Sequence, residues 1–390
     1  MATVILKPLK NSRIAQGHPW IFSNEVDSVS GDPAEGSVVK VLSSKKQFIG
    51  SGFINQKSQI VVRLLTHDPG REINDAFFLN RIQTAWKYRQ KLGYTENCRL
   101  VFGEADFLPG LIIDKFNDYF VLQTLSLGMD NWKDSIVKAL NRLFTPKGIY
   151  ERNDVPVREL EGMIQQKKFL SEPFDTNIIL KENGLLFKVD LEHGQKTGYF
   201  LDQQDNRKEL ARISKDAEVL EAFCYTGSFS IHAARYGAKK VTGIDISESA
   251  VAAARENAAL NNLDNICEFQ TANAFDALKS WAKEGRQYDV VILDPPAFTK
   301  SRENLGKAIS GYKEINLRGM KLVRKGGFLV TASCTHLVTP EMFQQVIKDA
   351  AQDAKRMIRL VTVQTQAADH PIVPNIDITR YLKFVIVQVL

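Results

Sequence analysis

The sequence predicts an α/β protein whose C-terminal half is a doubly wound parallel sheet, preceded by an α+β segment and a small β domain. From about Glu218 the chain alternates apolar strands with helical stretches such as SESAVAAARENAALNNL. Alternating β and α units are typical of a parallel sheet with helices on both faces. The first 70 residues instead carry short apolar runs separated by glycine, proline and serine, which indicates a small β barrel or sandwich.

Three domains are predicted along the 390 residues, since a chain of this length exceeds one ordinary core. They are a small β domain over 1–70, an α+β middle domain over 71–185 and the doubly wound domain over 186–390. Apolar residues at helical spacing predict a middle-domain helix over about 75–92. A second helix is expected over about 130–144.

The middle domain also carries strand signals. GLIIDKFNDYFVLQTLS predicts a hairpin that turns at Asn117 and Asp118, and GIYERND predicts another strand. In the C-terminal domain, strands are predicted at 218–223, 240–245, 266–271, 288–293 and 327–333. RLVTVQTQAADHP and YLKFVIVQVL follow without a helix between them. They are expected to pair as an antiparallel hairpin at one sheet edge.

Composition excludes several classes of protein. A hydrophobic content of 44% and a charged content of 25% are those of a soluble globular chain. The first residues lack the pattern of a secretory signal and no apolar run reaches membrane-spanning length, so a cytoplasmic location without a membrane partner is expected. The four cysteines lie far apart, which predicts reduced thiols and no metal site. A net charge of +6 permits a polyanionic partner without requiring one.

Two reactive side chains follow predicted neighbouring strands. Asp294 ends the apolar run VVIL and is followed by two prolines, and Cys334 follows the strand at 327–333. Ligands of open α/β sheets bind at the carboxyl ends of the strands. We therefore expect the acid and the thiol at one edge, where they suit covalent chemistry on a flat, electron-poor ring.

A nucleoside site is predicted beside them. EVLEAFCYTGSFSIHAARYGA has the strand, turn and helix of a Rossmann-type nucleotide site, but Gly227 is the one glycine of the turn. Because a pyrophosphate needs several close backbone approaches, this favours a ligand without phosphates. Asp245 is expected to bond the ribose hydroxyls, the alternative being a cap on the helix starting near Ser249. Asn273 is expected to bond the adenine amino group. S-adenosylmethionine fits these positions.

EAFCYTGSFS, GIDIS, ILDPPAF and HGQKTGYFLDQQDNR closely resemble the bacterial family of 23S ribosomal RNA cytosine-5 methyltransferases. GHPWIFSNEV resembles the PUA domain of that family. The resemblance spans nearly the whole chain and implies a Rossmann-like S-adenosylmethionine-dependent methyltransferase domain after a PUA-like domain. It leaves the oligomeric state open, with a homodimer as one form.

The resemblance also implies site residues. Cys334 would be the nucleophile that adds to cytosine, and Asp294 would contact the ring and lie beside the cofactor. Residues implied for the cofactor site are Gln195, Tyr199, Asp202, Gln203, Phe223, Tyr225, Gly227, Asp245, Ile246, Asn273 and Ala274. Asn273 stands where an aspartate is common in the family. Cys224 is the rival thiol, although its place in the first loop favours the cofactor or the core.

Two other functions remain compatible with the sequence. One is transfer to another acceptor of ribosomal RNA: an exocyclic amine of adenine or guanine, such as guanine N2, or guanine N7, for which related domains with Asp-Pro-Pro are known. Against an amine acceptor, Ala297 follows the prolines and the aromatic Phe298 comes one position late. The other is a catalytically inactive RNA-binding or ribosome-assembly factor. An intact Asp294, Cys334 and cofactor loop argue against such decay.

Basic residues indicate where RNA would bind. The stretch 299–319 follows the acid directly and places an aromatic residue, Tyr312, among basic ones, which suits phosphate contact and base stacking. Its basic residues are Lys300, Arg302, Lys307, Lys313 and Arg318. Candidates in the PUA-like domain are Lys7, Lys10, Arg13 and His18. A solvated helix face and a structural HPW turn are the competing interpretations.

Overall fold

The computed structural model describes residues 2–8 and 13–390. The chain divides into two compact units. The first unit comprises Met1–Leu180, Val189–Leu201 and Ala368–Thr379, and the second comprises Lys181–Lys188, Asp202–Ala367 and Arg380–Leu390.

The first unit begins with a six-stranded sheet of the short strands that the sequence predicts. Its strands are β1 (Thr3–Leu6), β2 (Trp20–Phe22), β3 (Val26–Ser30), β4 (Val38–Leu42), β5 (Phe48–Ile54) and β6 (Ile60–Thr66). They are ordered β2-β6-β5-β4-β1-β3. Apolar residues that alternate along these strands, such as Val39 and Val41, form a buried core. Period-two burial of this kind is the pattern of a strand with one face on the core.

A five-stranded sheet, ordered β11-β10-β9-β8-β7, follows in the same unit. Its strands are β7 (Asn97–Phe102), β8 (Leu111–Phe116), β9 (Tyr119–Thr124), β10 (Gly148–Asn153) and β11 (Gln166–Phe169), and its helices are α1 (Asp75–Lys91), α2 (Leu127–Asn131) and α3 (Lys133–Phe144). The β8–β9 hairpin turns at Asn117, whose φ of 53° is the left-handed conformation that asparagine tolerates. Helix α1 ends within one residue of the predicted boundary. The predicted helix over 130–144 is interrupted at Trp132.

The first two sheets share one core. Phe53 and Leu65 from the N-terminal sheet belong to the same buried cluster as Phe77, Phe78 and Ile82 from α1. The side chains that complete the N-terminal sheet therefore also cover the helix that follows it. Strands β12 (Asn177–Glu182) and β13 (Leu185–Asp190) then form a separate two-stranded sheet.

The second unit is the doubly wound domain. Its seven strands are β14 (Glu218–Ala222), β15 (Lys240–Asp245), β16 (Cys267–Thr271), β17 (Tyr288–Leu293), β18 (Val323–Ser333), β19 (Ile358–Gln364) and β20 (Lys383–Val389). Its helices are α4 (Gln204–Lys208), α5 (Ser228–Arg235), α6 (Glu248–Leu260), α7 (Ala274–Lys283), α8 (Leu305–Leu322) and α9 (Pro340–Asp353). The order β16-β15-β14-β17-β18-β20-β19 reverses between β14 and β17, where such sheets bind ligands.

The first five strands of this sheet run parallel and the last two antiparallel. The predicted C-terminal hairpin is confirmed, because β19 and β20 pair antiparallel and β19 forms the sheet edge. Strand β20 inserts beside β18, with Lys383 opposite Ser333. The last strand of the chain thus lies next to the strand that delivers Cys334. Within the described residues, no helix is both long and apolar enough to cross a membrane.

Candidate active site

Asp294 follows β17 directly, and an amide holds its carboxylate. Nε2 of Gln203 donates to Oδ1 of Asp294 at 3.0 Å. The amide of Gln203 is oriented in turn, because Nδ2 of Asn206 donates to its Oε1 at 2.6 Å. Asn206 also donates to the carbonyl oxygen of Thr365 at 3.1 Å. A chain of hydrogen bonds from three separate segments therefore fixes the orientation of the acid.

Cys334 follows β18, the parallel neighbour of β17, and its side chain is half-buried. Its Sγ lies 4.0 Å from the carbonyl oxygen of Pro295, the residue next to Asp294. The acid and the thiol, 40 residues apart in sequence, thus meet at adjacent strand ends, as parallel pairing requires. The other three cysteines are buried, and burial raises the pKa of each thiol. Cys334 is therefore the accessible thiol among the four.

The segment after Cys334 is held firmly by Thr335. Its hydroxyl lies 2.7 Å from the hydroxyl of Tyr312 and accepts the backbone N–H of Phe298 at 3.2 Å. Its carbonyl oxygen accepts from Nζ of Lys383 at 2.7 Å. Tyr312 is fully buried, and burial raises its pKa to about 12. The interpretation of Tyr312 as an RNA-stacking residue is therefore wrong, because its ring packs inside the protein against Phe298, 4.4 Å away between centroids.

The loop after β14 has an unusual backbone. Phe223, Tyr225 and Gly227 all have positive φ, at 66°, 47° and 81°. For non-glycine residues this conformation is uncommon and persists where surrounding contacts impose it. A side chain at Gly227 would also place its Cβ 2.9 Å from the Phe269 ring. Glycine is thus required at this position by packing as well as by conformation.

Asp245 supports this loop. Its Oδ2 accepts the backbone N–H of Tyr225 at 2.9 Å, and its Oδ1 accepts that of Ser247 at 3.0 Å. The helix after it begins at Glu248, and the side chain that caps it belongs to Ser247. The alternative reading of Asp245 as the cap of this helix is therefore wrong. Its carboxylate instead ties the ends of β14 and β15 together.

After β16, the side chain of Asn273 already has hydrogen-bond partners within the protein. Oδ1 of Asn273 caps α7 by accepting the backbone N–H groups of Phe275 at 2.9 Å and Asp276 at 3.4 Å. An adenine amino group would have to displace one of these donors to bond that oxygen. Ala274 is buried in the first turn of the helix.

Exposed apolar side chains stand at these same strand ends. Ile246, directly after Asp245, is 71% exposed, and Phe275 is 38% exposed. The Phe275 ring lies 6.2 Å from that of Phe223 and 5.8 Å from that of Phe298, measured between centroids. A nucleoside pocket combines a polar group that can bond the ribose hydroxyls with apolar side chains that can pack on the flat base. The carboxylate of Asp245 and the exposed side chains of Ile246 and Phe275 provide this combination. The residues present therefore fit S-adenosylmethionine.

The four residues implied from the stretch before α4 divide between the units. Gln195, which is exposed, and Tyr199, which is buried, belong to the first unit. Asp202 and Gln203 belong to the second and are both buried. Oδ2 of Asp202 accepts the hydroxyl of Tyr381 at 2.6 Å.

The seven-stranded sheet buries two ionisable residues that the sequence did not predict. Glu221 on β14 is 2% exposed and accepts from both the backbone N–H and the hydroxyl of Ser230. Burial raises its pKa to about 8. Lys383 on β20 is 6% exposed, and burial lowers its pKa to about 8. The available signal was a charged residue inside an apolar run, EVLEAF in one case and YLKFVIVQVL in the other.

The basic residues near the acid fall into two groups. Lys300, Arg302 and Lys307 are exposed. Lys313 and Arg318 are instead half-buried and pair with Asp353 and Glu314, both at 2.8 Å.

In the N-terminal sheet Arg13 pairs with Glu25 at 2.7 Å, and Lys7 is exposed and donates to the Asn24 carbonyl oxygen. His18 is buried, and its Nδ1 accepts the backbone N–H of Trp20. This hydrogen bond favours the interpretation of HPW as a structural turn. Lys10 lies outside the described residues.

Comparison with known proteins identifies the family of two segments of the chain. Residues 4–67 match the profile of a PUA-like domain, and residues 165–388 match that of an S-adenosylmethionine-dependent methyltransferase. The chain is 39% identical over 392 residues to ribosomal RNA large subunit methyltransferase I of Tolumonas auensis, covering 99% of each chain. It is 40% identical over 391 residues to the protein of the same name from Shewanella denitrificans, covering 98% of each.

The chain belongs to the S-adenosylmethionine-dependent methyltransferase family. The predictions of a methyltransferase and of its cofactor are thereby confirmed. The predicted fold class is confirmed as well. Two solved structures share the fold over 100% of both chains: the methyltransferase SMU.776 complexed with SAH, at a TM-score of 0.85 and 22% identity, and a methyltransferase from Streptococcus mutans, at 0.83 and 21%. At this identity the likeness establishes the fold alone.

Proposed function

We propose that this methyltransferase forms 5-methylcytosine in 23S ribosomal RNA through a covalent adduct with Cys334. The observation that carries the proposal is the position of the Cys334 thiol, 4.0 Å from the carbonyl oxygen of the residue after Asp294. The names of the relatives support ribosomal RNA of the large subunit as substrate. The choice of cytosine rests on the thiol, because an exocyclic amine needs no covalent activation.

Cys334 would act as the nucleophile. Carbon 5 of cytosine is a weak nucleophile, but a thiolate that adds to carbon 6 breaks the ring double bond and makes carbon 5 electron-rich. After carbon 5 has been methylated, a base removes its proton, the double bond re-forms and the thiolate leaves. The target base must first leave its stack to reach the thiol.

Asp294 would stabilise the adduct. Its carboxylate, oriented by Gln203 at 3.0 Å, is suited to contact ring nitrogen 3 or the exocyclic amine as charge moves onto the ring. A group already oriented for the developing charge needs no rearrangement during the reaction. Gln203 then serves to position the acid.

The cofactor would be held at the ends of β14, β15 and β16. We assign the ribose to Asp245 and the adenine to the surface of Ile246 and Phe275, with Asn273 and Ala274 at its edge. Phe223, Tyr225 and Gly227 would form the first loop of this site, with Asp202 and Gln203 at one side. Gln195 and Tyr199 stay cofactor residues on the strength of the family resemblance alone. When bound, S-adenosylmethionine supplies the electrophilic methyl group.

The organisation of the chain is part of the proposal. The PUA-like domain, placed at 1–70, would bind RNA together with Lys300, Arg302 and Lys307. The division into a middle domain over 71–185 and a catalytic domain over 186–390 stays a prediction, as do the cytoplasmic location and the homodimer.

Transfer to guanine N2 or N7 is the competing activity, and the surroundings of Phe298 disfavour the amine. In amine-directed enzymes an aromatic ring after the prolines stacks on the base. Here the backbone N–H of Phe298 is bound by Thr335 and its ring packs on buried Tyr312. An inactive assembly factor is disfavoured by the paired acid and thiol.

The proposal is tested by mapping 5-methylcytosine in 23S ribosomal RNA from cells with and without this protein. One site should lose its methyl group when the gene is deleted and regain it when the wild-type gene is restored. A Cys334→Ala gene should not restore it. A deletion that leaves every 5-methylcytosine in place but removes a methylguanosine would transfer support to the competing activity.

A further inference from the structure

Lys383 is a buried lysine that pairs with no carboxylate among the residues the structure describes. It is 6% exposed, and its Nζ donates to the carbonyl oxygens of Thr335 at 2.7 Å and Tyr381 at 2.8 Å. The charged groups that act on it are Cys334 and Arg380, and in the described part of the chain no carboxylate forms an ion pair with it. A buried ammonium is costly unless it is paired. Carbonyl oxygens alone leave its charge uncompensated.

Cys334 is the neighbouring ionisable group whose negative form can compensate it. The pKa of Lys383 is lowered to about 8, mainly by burial and in smaller part by Arg380, whereas Cys334 acts to raise it. An interaction that favours the charged ammonium in the presence of a thiolate equally favours the thiolate in the presence of the ammonium. The charged forms of the two groups therefore stabilise each other.

Lys383 interacts with the residues on both sides of Cys334. Ser333, the residue before Cys334, pairs with Lys383 across β18 and β20. Thr335, the residue after Cys334, accepts its ammonium. Asp294 works in the opposite sense, since a nearby carboxylate disfavours a thiolate. Tyr312, whose pKa burial raises to about 12, is neutral and offers no charge. A cation is thus needed to offset the acid.

We propose that Lys383 is a positioning residue whose ammonium serves as the counter-ion of the Cys334 thiolate and keeps the nucleophile ionised beside Asp294. The inference rests on the proposed role of Cys334 as nucleophile. It assigns a function to the one charged residue of β20.

The test is the pH profile of Cys334 alkylation by iodoacetamide, with the modified peptide quantified by mass spectrometry. In Lys383→Met the pH of half-maximal rate should rise by about one unit, and alkylation near neutral pH should slow about tenfold. Lys383→Arg keeps the charge and should retain most of the wild-type profile. Lys348→Met, which removes an exposed lysine from α9, is the matched control and should match the wild type.

An unchanged profile in Lys383→Met would overturn the proposal. If that variant does not fold, the wild type itself decides: Cys334 should reach half-maximal rate at a lower pH in the folded protein than in urea, and an equal or higher pH overturns the proposal. Alkylation requires no methyl transfer. Methylation by Cys334→Ala would show that Cys334 is not the nucleophile, and that result is distinguishable from an unchanged alkylation profile.

Discussion

Gln203 and Asp294 are joined by a hydrogen bond of 3.0 Å between the amide Nε2 and the carboxylate Oδ1. The donor end of the amide faces the acid because Asn206 donates to its other end. Residues from the stretch before α4 and from the end of β17 are thereby combined into one oriented unit.

Replacing this donor should damage the chemistry more than binding. Gln203→Glu keeps the shape of the side chain but sets a second carboxylate against Asp294. We expect kcat for RNA methylation to fall about 10- to 100-fold, the value of a hydrogen bond to a charged group. Single-turnover kinetics measures this. Gln352→Glu, an exposed position on α9, should keep full activity, and an unaffected Gln203→Glu would contradict the positioning role.

Asp245→Ala should weaken S-adenosylmethionine binding by about 1.5–3 kcal/mol, the range for hydrogen bonds to a charged group. The carboxylate would be lost both as a ribose acceptor and as the support of the Tyr225 and Ser247 backbone. Calorimetric titration with the cofactor gives the value. Glu248→Ala removes an exposed acid three residues later and should leave the affinity unchanged. If Asp245→Ala binds the cofactor as tightly as Glu248→Ala does, the assignment of the ribose to Asp245 is wrong.

Glu221 should make stability depend on pH. Its folded pKa of about 8 lies above the value in the unfolded chain, so the folded state holds the extra proton and stability falls as the pH rises towards 8. Glu221→Gln keeps the acceptor for Ser230 and should reduce this loss. Between pH 5.5 and 8 the variant should gain roughly 2–4 kcal/mol relative to the wild type. Urea unfolding at both pH values tests this, with Glu268→Gln on exposed β16 surface as the control that should gain nothing.

The exposed cations after the acid should contribute to RNA affinity through counterion release. Replacing Lys300, Arg302 and Lys307 with alanine together should lower the slope of log affinity against log salt by up to about 2. RNA-binding titrations at several salt concentrations measure the slope.

The control for that experiment removes the same charge elsewhere. Lys279, Lys283 and Lys348 are exposed on α7 and α9, and their triple alanine variant should keep the wild-type slope. Equal slopes in the two triple variants would mean that the basic stretch is a solvated helix face.

The parts of the site that sequence could predict are those fixed by sheet topology. Apolar runs at 288–293 and 327–333 predicted neighbouring parallel strands, and the residues after them then had to meet at one edge. Asp294 and Cys334 follow directly from that rule. The loop at Gly227 was predictable for a similar reason, because one glycine after a strand marks the turn.

The missed features depend on contacts between distant side chains. Tyr312 carries a polar group between basic neighbours in sequence, yet the hydroxyl of Thr335 satisfies it inside the core. Lys383 is the one charged residue of β20, and its ammonium bonds the carbonyl oxygen of Thr335, next to Cys334 and distant in sequence. Phe53 and Leu65 share a core with α1, so removing residues 1–68 would expose that helix. Point variants are therefore the appropriate test of RNA binding by the N-terminal sheet.

The most direct measurement of the central claim is adduct formation between the protein and RNA that carries 5-fluorocytosine at the target site, in the presence of S-adenosylmethionine. Fluorine cannot leave as a proton does, so the thiolate is not expelled and the wild type should remain covalently bound to the RNA. Cys334→Ala should form no adduct and transfer no methyl group, while its fold and cofactor affinity stay unchanged. Asp294→Ala should also be inactive, although its thiol is intact. An adduct with Cys334→Ala, or methylation by it, would contradict the account and make Cys334 a packing residue.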